Sequence, residues 1–197
     1  MSEPVPSREL RGADVWRDPL VRELLELRLV AVLATLEPDG AVHAVPVWFA
    51  PGERELLLAT GSRSRKVRNL ERDPRATLVL HDSRPGFEVC GVSLRGRAEI
   101  VRSAAAQPLV GRVHRRYVSE AGRRLPEAAA FLASDDVALR FRVEAAVTWD
   151  ERESPAARAL ADAGAALPLE PTAPRPYAGG GGRSRRGPRS PSRRDRT

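Results

Sequence analysis

Residues 29–50 read LVAVLATLEPDGAVHAVPVWFA, and the fold turns on them. Residues 29–36 are an apolar run of strand length, which predicts a strand buried on both faces. Glu37-Pro38-Asp39-Gly40 is a turn, because proline presets one dihedral and glycine accepts a positive φ. Residues 41–50 form a second strand, so the whole stretch reads as a hairpin. Pro46 lies inside that second strand. It has no N–H for a ladder, which puts the strand at an edge or at a bulge.

Upstream of the hairpin, residues 18–27 carry Leu20, Val21, Leu24, Leu25 and Leu27 as the apolar stripe of a short helix. Residues 1–13 are polar and read as a flexible N-terminus. Downstream, Pro51-Gly52 is another turn, and residues 55–60 are a third strand. A polar helix over 62–72 stops at Asp73-Pro74, and residues 75–80 are a fourth strand. Residues 87–101 are a long fifth strand. It puts Val92, Leu94, Ala98 and Ile100 on one face and Arg95, Arg97 and Glu99 on the other, with a bulge or sharp bend expected at Gly96. Residues 103–133 are helical, with a break near Pro126. Residues 136–148 alternate, with Val137, Leu139, Phe141, Val143, Ala145 and Val147 inward and Arg140, Arg142 and Glu144 outward. Six short strands joined mostly by tight turns predict a mainly β fold with α decoration, an antiparallel barrel.

The expected organisation is a folded domain over 14–150, a C-terminal helix and linker over 151–177, and a disordered tail over 178–197. The tail contains Gly179 to Gly182 and little else but Arg, Ser and Pro. The formal net charge is +7. Residues 183–197 hold seven arginines and one aspartate, so they supply +6 and leave about +1 for all that precedes them. That near-neutral body excludes a basic nucleic-acid-binding domain. The tail can meet nucleic acid non-specifically, or it is composition drift in a GC-rich coding sequence. No apolar run approaches the ~20 residues that cross a bilayer, and the single cysteine, Cys90, cannot form an internal disulfide, so the expected compartment is the cytoplasm. Cys90 falls in phase with Val92 and Leu94 and reads as a buried, inert thiol.

The chemistry is concentrated in residues 60–70, TGSRSRKVRNL. Ser62 or Ser64 is a plausible helix N-cap. Arg63, Arg65, Lys66 and Arg68 then crowd the positive end of the helix, where each exposed cation costs roughly 0.3–1 kcal/mol. A bound phosphate relieves that repulsion by accepting the free N–H groups and neutralising the side chains. The alternative is a solvated basic helix. Arg63, Lys66 and Asn69 are expected on one helical face. Lys66 is the only lysine in the chain.

The other candidates read plainly. His43, His81 and His114 match no metal-ligand spacing, and His43 reads as a surface histidine of its strand. No serine sits in a nucleophile elbow, and no histidine completes a triad. No residue stands out as a general acid, which leaves solvent as the proton source. Trp48 and Trp149 read first as core or interface aromatics.

The order of VAVLATLEPDGAVHAVPVWF (30–49), LLLATGSRSRKVRNLERDPRATLVL (56–80), VSLRGRAEIV (92–101) and RFRVEAAVTWD (140–150) resembles the FMN-binding split-barrel superfamily of pyridoxamine 5'-phosphate oxidase. Within it the resemblance is nearest to the actinobacterial oxidoreductases that use coenzyme F420. It implies a six-stranded split β-barrel, a homodimer, and a cofactor groove between the two subunits. It also implies that Ser64, Arg65 and Lys66 grip the cofactor phosphate, with Asn69 following and Arg63 nearby. Val45, Pro46, Val47 and Trp48 would line the ring system, beside Thr60. The implied activity is hydride transfer to a small-molecule substrate, with coenzyme F420 ahead of FMN because surplus cations suit its polyglutamate tail. A non-catalytic flavin or deazaflavin carrier is the other class of function.

Overall fold

The computed structural model describes residues 7–83 and 89–165. Eight strands form one antiparallel sheet. In chain order they are β1 (Arg8–Arg11), β2 (Ala31–Leu36), β3 (Val42–Val47), β4 (Phe49–Pro51), β5 (Leu56–Gly61), β6 (Arg75–Ser83), β7 (Val89–Val101) and β8 (Asp136–Asp150). The helices are α1 (Ala13–Arg17), α2 (Pro19–Glu26), α3 (Arg65–Arg72), α4 (Gln107–Tyr117), α5 (Glu120–Arg123), α6 (Pro126–Leu132) and α7 (Pro155–Asp162). The strand order is β3-β2-β6-β7-β8-β5-β4, with β1 added to β8.

That order curls the sheet into a half-barrel, consistent with a split β-barrel. β3 and β4 lie at opposite ends of the ladder, yet only Trp48 separates them in the chain. The sheet must curl until its two edges meet at that residue. The expected second strand over 41–50 is therefore two strands: β3 pairs with β2 and β4 pairs with β5. Pro46 stands opposite Val32 on the edge strand β3, where a missing N–H costs no ladder bond.

Residues facing the interior come from every large strand. Leu33, Phe49, Leu56, Leu58, Leu78, Leu94, Leu139 and Phe141 are all fully buried in one cluster, and α2 adds Leu20, Val21, Leu24 and Leu25 to it. Asp18 caps α2 by accepting from the Val21 N–H at 3.1 Å. It also pairs with Arg8 at 2.8 Å. That pairing and the ladder Arg8↔Thr148 to Arg11↔Ala145 hold a segment expected to be loose. The expectation was blind to it because a four-residue polar strand has no apolar period of its own.

The predicted bulge is present, with a consequence the alternation did not show. Gly96 pairs with Val143 and Arg95 with Ala145, so Glu144 is the extra residue on β8. Beyond it the inward phase changes: Ala146 and Thr148 are buried while Val147 is only partly so. A Cβ on Gly96 would stand 2.0 Å from the Arg142 carbonyl oxygen, which is why glycine stands opposite the bulge.

One further expectation fails. β2 is buried on one face only. Ala31, Leu33 and Thr35 point inward, whereas Val32 is 41% exposed. Cys90 is buried as expected, and burial pushes its thiol pKa up. Among the described residues no helix is long and apolar enough to cross a membrane. The tail over 178–197 and Phe87 lie outside the described residues.

Candidate functional site

The edge where the barrel closes carries a cleft of about 350 Å³. Its position follows from Trp48. The indole stacks on Tyr117 of α4, with ring centroids 4.8 Å apart and planes 6° from parallel. Tyr117 in turn donates to the Leu29 carbonyl at 2.6 Å and accepts the Phe49 N–H at 3.3 Å. This phenol therefore satisfies the backbone on both sides of the corner, and burial raises its pKa. α4 is held down further by Val110 and Val113, which pack on the outer face of β4, β5 and β8.

One part of the cleft wall is apolar and aromatic: Val30, Pro46, Val47, Trp48 and Phe131. Phe131 meets Trp48 edge to face at 6.2 Å. The other part is polar: Thr60, Gly61, Lys66, His114, Ser134 and Asp136. Lys66 donates to Thr60 Oγ1 at 2.9 Å, and Ser64 Oγ lies 3.4 Å from the same oxygen. Lys66 is half-buried. Burial holds its pKa below the ordinary lysine value, and the Asp136 carboxylate opposes that shift. Asp136 also lies 3.4 Å from His114 Nε2, with both side chains largely buried.

α3 begins at Arg65, with Ser64 as its N-cap. Ser64 makes no side-chain cap, and the first turn holds no acid. Its leading N–H groups therefore present a positive end beside the Lys66 ammonium, which is the donor set a phosphate needs.

Of the residues that the resemblance assigned to the cofactor, Pro46, Val47, Trp48, Thr60 and Lys66 line the cleft. Ser64 reaches its edge through Thr60. Val45 does not line it; its side chain packs against the barrel core. Arg63 precedes the helix rather than sharing its face. It is exposed, and its carbonyl accepts from Arg68 at 2.6 Å. Arg65 turns the other way, to Glu37 at 3.6 Å. Asn69 is buried and donates to Thr35 Oγ1 at 3.1 Å, so it ties α3 to β2. The basic run thus splits: one cation enters the cleft and three arginines stay at the surface.

The sequence reading did not single out Phe131, Ser134 or Asp136, and it gave His114 no role. They lie 48 to 70 residues beyond Lys66 in the chain, on segments that only the tertiary fold brings beside it. The one available signal was Asp136 at the very start of an alternating strand; the structure sets it level with Gly61 in the ladder. Among the described residues no cluster of His, Cys, Asp and Glu forms a metal site.

The family model described as pyridoxamine 5'-phosphate oxidase matches residues 18–150. A conserved hypothetical protein from Mycobacterium tuberculosis is similar, at 28% identity over 73% of this chain and 86% of its own, with a TM-score of 0.56. An F420 reductase is 28% identical over 64% of this chain and 94% of its own, with a TM-score of 0.51. The heme storage protein from Vibrio cholerae shares the fold at 16% identity, over 68% of this chain and 94% of its own, with a TM-score of 0.54. No curated protein matches the chain.

Proposed function

We propose a function from one premise: the chain belongs to the pyridoxamine 5'-phosphate oxidase family, whose model covers residues 18–150. The reading is a homodimeric oxidoreductase that binds coenzyme F420 and exchanges hydride with a small molecule. The observation that carries it is Lys66. The only lysine of the chain enters a cleft that is polar on one side and aromatic on the other, at the uncapped end of a helix.

The residues fit such a group. Lys66, the hydroxyls of Thr60 and Ser64 and the first-turn N–H groups of α3 would hold a phosphate. Pro46, Val47, Trp48 and Phe131 would hold a flat ring and keep water from it. When bound, the deazaflavin ring supplies the hydride chemistry, and the protein supplies position and a dry wall. The same donors suit FMN, the alternative cofactor. Two observations favour F420: Arg63, Arg65 and Arg68 stay exposed around the start of α3, where a polyglutamate tail would pass, and an F420 reductase is among the similar structures.

The dimer rests on the outer face of the β2–β3 hairpin. Val30, Val32 and Val42 are 52%, 41% and 66% exposed. Val30 and Pro46 belong both to that face and to the cleft wall. A second copy seated there would border the cleft.

Titration of the purified protein with F420 and with FMN, followed by absorbance and fluorescence, tests the reading. The expected result is saturable F420 binding, tighter than FMN, by a species that light scattering sizes as a dimer. Lys66→Ala should weaken binding by about ten- to a hundredfold, since a charge-assisted hydrogen bond contributes roughly 1.5–3 kcal/mol. Unchanged affinity in that variant would remove the phosphate assignment. Tighter FMN binding would reverse the order of cofactors, and binding without turnover of reduced F420 would leave a carrier.

A further inference from the structure

The cleft contains a carboxylate that a phosphate site does not need. The titratable residues in its lining are Lys66, His114 and Asp136. Asp136 opposes the cation that would meet an anion, and its carboxylate is close enough to act on the Lys66 pKa. His114 Nε2 is 3.4 Å from Asp136 Oδ2, and the two side chains are 8% and 12% exposed. We propose that His114 and Asp136 form a proton-linked gate on anion binding beside Lys66. This rests on the reading of the cleft as a phosphorylated-cofactor site.

The argument is one of charge. With His114 neutral, Lys66 and Asp136 cancel, and an incoming phosphate meets no net charge in the cleft wall. With His114 protonated, the imidazolium pairs with Asp136 and the wall carries one net positive charge. His114 and Asp136 are both largely buried, so that difference is screened less than it is at a surface.

The groups around His114 leave few competitors for this role. β8 contributes Asp136 and α3 contributes Lys66. Trp48, from the β3–β4 corner, packs edge-on against the imidazole at 6.2 Å and is uncharged. β5 brings Ala59, Thr60 and Gly61 to the cleft, and α6 brings Phe131, none of them charged. β4 carries no charged residue. On His114's own helix, Arg112 donates to the Pro51 carbonyl, Arg116 is committed to the Leu25 and Leu27 carbonyls, and Tyr117 to Leu29 and Phe49. Arg115 lies along α4 against Gly111. Arg102, ahead of the helix, pairs with Glu71, and Arg140 of β8 pairs with Glu55.

The test measures Kd for F420, FMN and riboflavin at about pH 5.5 and about pH 8.5, a span that brackets the histidine range. Full-length parent, His114→Gln and Asp136→Asn are compared. The ligand's own titration is common to all three proteins and cancels in the ratio of variant to parent. For F420 and FMN, His114→Gln should bind about tenfold more weakly than parent at the lower pH and equally at the higher, as one unit of charge near an anion requires. Riboflavin has no phosphate and should give the same ratio at both values. Asp136→Asn leaves Lys66 unopposed and should bind both phosphorylated ligands at the higher pH as tightly as the protonated parent does.

A variant-to-parent ratio that does not change with pH overturns the gate while leaving the cofactor reading intact. A parent that binds neither phosphorylated ligand at any pH overturns the cofactor reading and the gate together. Should His114→Gln fail to fold, NMR titration of the parent decides. Linkage requires the His114 imidazole to titrate at higher pH with FMN or F420 bound than without, and an unmoved midpoint overturns the proposal.

Discussion

Two parts of the same barrel wall treat their outer faces in opposite ways. On β7 and β8 the outward residues are Arg95, Arg97, Glu99, Arg140, Arg142 and Glu144. Arg142 pairs with Glu99 at 2.9 Å, and Arg140 with Glu55 at 2.9 Å. On β2 and β3 the outward residues are Val32, Ala34, Leu36, Val42, Ala44 and Pro46, and Val32 and Val42 stand open. The inward faces of both regions feed one core. A third stretch shows how the chain covers an apolar outer face from within: Leu57 and Ala138 lie under α4 and are buried to 1% and 0% exposure. The charged wall is built for water. The bare β2–β3 wall is built like the one under α4, without the helix. This difference locates the surface for which we propose a second copy.

The strongest way to break the comparison is to write the β7–β8 chemistry onto β2–β3. Val32→Glu with Val42→Glu puts two carboxylates into the proposed interface, where burying an unpaired charge costs several kcal/mol. Dimer affinity should fall by a hundredfold or more, on the order of 3 kcal/mol. Sedimentation should show a folded monomer, and cofactor affinity should fall with it. A variant that stays dimeric would show that the partner surface lies elsewhere.

Gly96 sits under the charged wall, and the comparison holds only if the bulge there aims those side chains outward. Gly96→Ala must displace the Arg142 backbone. Overpacking of this kind costs about 1–3 kcal/mol, which lowers Tm by roughly 2–12 °C in a chain of this size. An unchanged melting curve would mean that the bulge relaxes freely.

A smaller effect follows from Lys66, the cation that the chain places in a cleft rather than on a wall. Its pKa is lowered in the folded state, so between the folded and unfolded values the unfolded chain binds the extra proton. Stability from this group therefore rises with pH through that window, and at neutral pH, below it, the charged lysine is a burden. Lys66→Met should raise the Tm of the cofactor-free protein at neutral pH by about 1–2 °C. The gain should shrink as pH climbs through the folded pKa. A loss of stability would mean that the bond to Thr60 outweighs the burial.

Least of all should depend on single ion pairs of the charged wall. Arg142 and Glu99 are more than half exposed. Glu99→Gln should shift Tm by no more than about 1 °C, because exposed pairs contribute little. A larger loss would mean that the outer charges act as a network.

Period-2 alternation, turn residues and a lone glycine are local signals, and each of them wrote its element into the sequence. The hairpin turn at Gly40, the capped helix after Asp18, the bulge at Gly96 and the buried Cys90 were legible because each depends on neighbours in the chain. So was the crowding of cations at the start of α3, since the clash of cations with a helix end is a local conflict. Where the elements go was not local. That Trp48 joins two opposite sheet edges, that Arg8 to Arg11 finds β8, and that Asn69 turns from the cleft to Thr35 were decided by closing the barrel. The same closure brought His114 and Asp136 to Lys66 from distant segments, because burying one shared core fixes the positions of side chains that carry no mark of it in the sequence. The reading of residues 29–36 as buried on both faces came from composition, and a single chain covers only one of those faces.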